Sequence, residues 1–302
     1  MYLLLKLTEL LVSVTPRRLG YFLCSVFAMF SYHRSKKRRH VLRQNLSNVI
    51  GKENVTEKLL KTVYKNYAMY YFDLFCSKKR LVKSMRGENM KKWESTALPM
   101  FKKALESHKG LIILSMHMTN WDLAGGYLAT LFPGKINAVV EKLSPAFFKW
   151  FTETREKLGM KVIDASNVRA MVKALKNSEI LVLLGDRDLD RTGYIMDFFG
   201  KKAYIPSGPA KLALMADVPV SVGSMHRDIK DDTEFFAVSD EYMLNHNHTK
   251  RSEESARALT GQIVSSMEKH ISSNPGQWCM LQQVWVDAPA EQAHREIEQI
   301  EK

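Results

Sequence analysis

The sequence predicts an α/β protein: a mainly parallel central sheet flanked by helices, preceded by an amphipathic membrane-associating helical segment. Three observations carry that expectation. From Gly110 onward, short apolar runs alternate with helical patterns, as in sheets buried on both faces. All the excess positive charge lies at one end, with 20 Lys/Arg against 5 Asp/Glu in residues 1–92 and 25 against 27 thereafter. Two apolar runs near the start lead directly into a cationic cluster.

In the first run, Leu3, Leu4, Leu7, Leu10, Leu11 and Val14 recur at three- and four-residue intervals, which makes one apolar helical face. Pro16 interrupts it. A second run from Leu19 to Tyr32 is followed by Arg34, Lys36, Lys37, Arg38 and Arg39. Neither run reaches the roughly 20 residues that cross a bilayer, and no small-residue cleavage site marks a secretory signal. The expectation is an interfacial or re-entrant hairpin, peripheral or monotopic on the cytoplasmic face of the cell (inner) membrane, with its cations against anionic lipid. A pair of buried core helices with a solvated basic turn is the plainer alternative.

Asn54 and Glu57 have the spacing of a capping box and open a helix carrying Leu59, Leu60, Val63, Tyr67, Tyr70, Tyr71, Leu74 and Phe75. Tyrosines among basic residues suit stacking on single-stranded nucleic acid. These recur at helical spacing and no nucleic-acid-binding motif accompanies them, so they are expected in the core, and nucleic acid is not an expected partner. The charge shift divides the chain into a basic helical membrane-associating segment, 1–92, and an α/β core, 93–302. With the sheet starting near Leu111, that core is expected to stand without residues 1–33.

Residues 111–115, 137–140, 161–163, 180–184 and 218–222 read as buried strands. Between them, Ser144 and Pro145 open a helix that Gly159 stops, and residues 167–177 and 208–216 make shorter ones. Three widely spaced cysteines, Cys24, Cys76 and Cys279, make neither a disulfide framework nor a Cys-based zinc motif. His246 and His248 lack further ligands for a metal. Phe147, Phe148, Trp150 and Phe151 suit either an acyl groove or the core. No phosphate-binding loop, dinucleotide fingerprint or nucleophile elbow is present.

The most informative stretch is Leu114–Asp122. His117 follows the end of a strand, and Thr119 or Asn120 can cap the helix that carries Asp122. Across such a turn, Asp122 can accept a hydrogen bond from one imidazole nitrogen and aim the other at substrate. This is a base with its orienting group, the substrate hydroxyl standing where a hydrolase has its serine. Alone, the spacing equally fits a capping aspartate beside a satisfied histidine. Asp186, Arg187 and Asp188 follow a buried strand at the carboxyl edge of the sheet, where α/β ligands bind.

With these blocks the chain resembles the glycerolipid acyltransferase superfamily, and more closely the bacterial lipid A late acyltransferases with their phosphatidylinositol mannoside acyltransferase relatives. The resemblance covers most of the chain: Arg38–Leu46, His117 with Asp122, Glu141–Pro145 through Arg155–Gly159, Leu184–Leu189, Asp197–Gly200, Ile205–Ala210 and Asn274–Trp278. It implies a membrane-associated enzyme that moves a fatty acyl group from a thioester, acyl-CoA or acyl carrier protein, to a hydroxyl of a glycolipid. The block after Leu184 leans toward the mannoside type; lipid A-type acylation and a non-catalytic lipid-binding relative are the alternatives. His117 and Asp122 would be catalytic. No cofactor or metal is implied, since the released thiolate needs only a proton. Arg155 suits a substrate phosphate or the thioester carbonyl, and Glu141 suits orienting Arg155 or a sugar hydroxyl. The family places a further acidic residue near the histidine, here Asp186, Asp188 or Asp197. Nothing in the sequence sets the oligomeric state.

Overall fold

In a computed structural model, residues 1–76, 85, 87–107, 109–141, 144–188, 190–245 and 252–286 are described. Eight strands follow in chain order: β1 (Leu111–Ser115), β2 (Ile136–Val140), β3 (Lys161–Asp164), β4 (Ile180–Leu184), β5 (Tyr194–Phe198), β6 (Lys201–Ile205), β7 (Val220–Arg227) and β8 (Phe235–Ser239). Six make the central sheet in the order β3-β2-β4-β1-β7-β8, parallel except for β8, while β5 and β6 form a separate antiparallel hairpin. The α/β fold with a mainly parallel sheet is as the sequence predicts. The hairpin and β8 escaped that reading.

Alternation along β1 supplies both cores. Leu111 and Ile113 face α5 (Glu88–Glu106) and α6 (Trp121–Leu131), packing with Trp93, Phe101 and Leu123. Ile112 and Leu114 face the other way, toward α8 (Val168–Lys176), α9 (Gly208–Ala216) and α10 (Glu253–Ser273). Between β2 and β3, α7 (Pro145–Lys157) starts on Pro145, and Gly159 leaves it with a φ of +94° that favours glycine.

At the amino-terminal end lie α1 (Tyr2–Val14), α2 (Arg17–Arg34), α3 (Lys36–Ile50) and α4 (Glu57–Phe75). The cap of α4 is Thr56, whose Oγ1 accepts from the Leu59 N–H at 3.2 Å, and not Asn54, which lies in the preceding 3-10 turn. Asn54 turns its amide back to the Ile50 carbonyl, so the capping-box spacing is fortuitous. Tyr67, Tyr70 and Tyr71 belong to α4 as expected.

The apolar faces of α1 and α2 are bare. Leu3 is 81 % exposed and Phe27 66 %, and Leu7, Leu10, Phe22, Leu23 and Phe30 are likewise open. Among the described residues no helix is long and apolar enough to cross a membrane. The inner face of α2 is a different matter. Tyr21, Ala28 and Tyr32 are buried, and Ala28 and Tyr32 join Leu42, Leu46, Ile112 and Leu114 in one core. This burial speaks against the expectation that the sheet stands without residues 1–33: α2 is a wall of the core on one side and bare on the other.

Candidate active site

Register builds the site. Parallel β1 and β4 end with Ser115 opposite Leu184. Two residues beyond each partner stand His117 and Asp186, so equal spacing brings both to one edge, about one inter-strand distance apart. His117 Nδ1 lies 2.7 Å from Asp186 Oδ1, and the His117 backbone N–H donates to Asp186 Oδ2 at 2.9 Å. The Trp278 indole N–H donates to the same Oδ2 at 2.8 Å. Burial alone would raise the Asp186 carboxyl, but the imidazole, indole and backbone donors hold it below the ordinary carboxylate value. An ionised carboxylate only accepts, so Nδ1 donates to it, and in the neutral imidazole the lone pair is then on Nε2.

Asp122 does not meet His117. Asn120 caps α6, its Oδ1 accepting from the Leu123 N–H, and Asp122 stands in the first turn. Its Oδ1 accepts from Arg155 Nε at 2.6 Å and its Oδ2 from the Tyr70 hydroxyl at 2.6 Å. The Trp121 indole stands between the two groups, stacked on Tyr70 at 4.1 Å and edge-on to His117 at 5.0 Å. The carboxylate on the histidine is thus Asp186, and Asp122 serves Arg155. Burial works against the Arg155 charge, yet Asp122 beside it raises the guanidinium above its ordinary value.

These groups line a cavity of about 560 Å³ with His117, Trp121, Tyr70, Tyr71, Arg155 and Arg187 on its walls. Glu141 and Asp188 also reach it. Glu141 pairs with Arg187 and not with Arg155, and Arg187 also donates to Gln282 Oε1 at 2.6 Å. Asp188 accepts from the Gly193 N–H at 2.6 Å, which shapes the loop after β4. Asp197 is not part of the cavity wall. It is exposed on the β5–β6 hairpin, paired across the strands with Lys202 at 2.9 Å. Of the aromatic cluster, Phe151 lines the cavity, while Trp150 is buried against Phe75. Cys279 also borders the cavity, and burial pushes its thiol up to about 12, away from the thiolate a nucleophile needs. His246 and His248 lie outside the described residues.

Two site residues escaped individual notice in the sequence. Tyr70 reads as one more core aromatic of a periodic helix. Trp278 ends a recognisable block, but only the fold brings its indole to Asp186.

A sequence model of the family described as bacterial lipid A biosynthesis acyltransferase matches residues 2–287. The chain is 28 % identical over 253 residues to the phosphatidylinositol mannoside acyltransferase of Mycolicibacterium smegmatis, covering 81 % of this chain and 79 % of that one. It is 27 % identical over 255 residues to the enzyme of the same name from Mycobacterium tuberculosis, covering 81 % and 76 %.

Proposed function

The chain belongs to the bacterial lipid A biosynthesis acyltransferase family, and from that premise we propose that it transfers a fatty acyl group from a thioester to a hydroxyl of a membrane glycolipid. The observation that carries this reading is the His117 imidazole, held through Nδ1 by buried Asp186 beside a cavity large enough for a lipid head group. Nε2 takes the proton of the acceptor hydroxyl as its oxygen attacks the thioester carbonyl. The C–O bond forms, the tetrahedral intermediate collapses, and the C–S bond breaks. The imidazolium then returns its proton to the leaving thiolate. Asp186 fixes the tautomer and stabilises the transient positive ring. Arg155, held by Asp122, supplies positive charge in the same cavity. Glu141, Arg187 and Asp188 offer hydrogen bonds to sugar hydroxyls.

The names of the relatives favour a phosphatidylinositol mannoside as acceptor, and the family description a lipid A precursor as the second choice. The donor is acyl-CoA or an acyl carrier protein. The bare faces of α1 and α2, with Lys36 and Lys37 exposed at the start of α3, support docking on an anionic membrane surface at its cytoplasmic face.

The test is transfer of a labelled acyl chain from each donor to each acceptor in vesicles. His117→Ala is expected to lower transfer by about 10²–10⁴-fold, the usual contribution of a positioned base. Near-native transfer by folded His117→Ala protein sinks the mechanism.

A further inference from the structure

Asp73 is a heavily committed carboxylate outside the site. It is fully buried on α4 and takes four donors from three other parts of the chain. Oδ1 accepts from the Tyr21 hydroxyl at 2.7 Å and from Arg17 at 3.1 Å, both on α2. Oδ2 accepts from Arg227 at 2.9 Å, at the end of β7, and from the Asn120 amide at 3.2 Å. Arg17 Nε and Arg227 both donate to the Tyr21 oxygen at 2.7 Å, which closes the cluster.

Stability does not require such a cluster, because apolar side chains of similar volume commonly serve a core as well or better than buried ion pairs. What charges and hydrogen bonds add is direction: each donor must meet a particular oxygen. Here the directions lead to the turn between His117 and Asp122. Asn120 is clamped at both ends, its Nδ2 by Asp73 and its Oδ1 by the Leu123 N–H. Through Arg227 the cluster reaches the turn again. The Gln277 side chain binds both the N–H and the carbonyl of Arg227, each at 2.8 Å. It also takes the Thr119 hydroxyl, while the Gln277 carbonyl accepts the Thr119 N–H at 2.9 Å. Thr119 needs that restraint: its φ of +49° is a left-handed conformation costly to a β-branched residue.

We propose that Asp73 is a positioning residue for the reaction, holding the His117–Asp122 turn through Asn120 and, by way of Arg227 and Gln277, through Thr119. Its other donors, Arg17 and Tyr21, make the seat of α2 a condition of the same geometry. The helix that bares its outer face to lipid therefore contributes through its inner face to the chemistry, in solution as well as on a membrane. The kinetic part of this inference rests on the proposed acyl transfer; the geometric part does not.

The experiment compares Asp73→Asn, Tyr21→Phe and Leu60→Ala in the full-length protein. Leu60 is equally buried on α4 but packs in the core. Each is assayed for acyl-CoA hydrolysis in detergent, for melting temperature, and for the ring ¹H–¹⁵N signals of His117. A displacement of about 1 Å at a reacting group can cost on the order of 100-fold. Asp73→Asn is therefore expected to lose at least about tenfold in kcat with little change in donor KM, and to shift the His117 signals. Tyr21→Phe should show the same pattern more weakly. Leu60→Ala should melt lower with kcat per folded molecule and the His117 signals native.

If Asp73→Asn and Tyr21→Phe instead behave like Leu60→Ala, Asp73 only stabilises the fold and the inference fails. Should Asp73→Asn not fold, Tyr21→Phe, which keeps every charge, decides by the same criteria. The His117 signals need no substrate, so an active His117→Ala enzyme would overturn the proposed reaction while leaving the geometric part separately testable.

Discussion

Asp186 meets His117 because it lies at the same register position one strand over, not because it is near in sequence. Both stand two residues beyond the paired Ser115 and Leu184, and the resulting contact is 2.7 Å. Neighbouring parallel strands with equal exits present paired groups without help from a loop. The backbone N–H of His117 on Asp186 Oδ2 locks the carboxylate further.

This division of labour separates two aspartates by experiment. Asp186→Asn keeps the shape and loses the charge that steadies the imidazolium, so kcat should fall by about 10²–10⁴-fold in a folded protein. Asp122→Asn leaves Arg155 buried beside a neutral amide. It should therefore cost stability, on the order of 3 kcal/mol, besides activity. Melting curves together with kcat for both variants check this. A native melting point and the deeper kcat loss for Asp122→Asn would make Asp122 the partner of His117 after all.

Local signals were legible in the sequence, and long-range pairings were not. The strand before His117, a helix cap at Thr119 or Asn120 and the Pro145 helix start all rest on neighbouring residues; the strand and the Pro145 start stand in the structure, and Asn120 is the cap. The choice of Asp186 over Asp188 or Asp197 depends on which strand lies beside β1, and no periodicity encodes that. Asp197 looked acidic and well placed in order, but a hairpin carries it to the surface. The bare face of α2 follows from its apolar run, whereas the burial of its other face requires α4, whose partner no local pattern names.

The cap of α4 gives a small and sharp test. Thr56 holds the Leu59 N–H and Asn54 does not. Thr56→Ala should cost about 1 kcal/mol in urea unfolding, the usual value of an N-cap side chain. Asn54→Ala, outside the helix, should cost less. The reverse order would restore the capping box.

Acid should weaken the fold through the buried His226. Ser224 bridges His226 and His270, at 2.8 Å and 3.0 Å. Burial, and then the neighbouring His270, lower His226 to about 4. The native state keeps His226 neutral while the unfolded chain takes up a proton below about 6.5. The unfolded state thus binds more protons, and stability present above pH 6.5 is lost as pH falls toward 4. The share at stake is on the order of 3 kcal/mol. His226→Gln, which can still hydrogen-bond Ser224 but does not titrate, should flatten that part of the pH–stability curve; an unchanged slope would assign it to other groups.

The two faces of α2 should respond differently to change. Phe22, Phe27 and Phe30 are more than half exposed, so replacing all three by Ser should leave the melting temperature nearly native. If they enter lipid, each contributes about 1.5 kcal/mol to partitioning. The triple variant should then bind anionic vesicles about three orders of magnitude more weakly. Detergent-phase acyl-CoA hydrolysis should hardly change, because the inner face and the His117 turn are intact. Deleting residues 1–33 is a different operation. It removes Tyr21 and Arg17 from Asp73 and Ala28 and Tyr32 from the core, so the shortened chain should unfold or aggregate. Vesicle flotation, melting curves and hydrolysis rates on both proteins decide. Native vesicle binding by the triple variant would free the outer face of any lipid role, and a stable, active truncated chain would show that α2 is dispensable to the core.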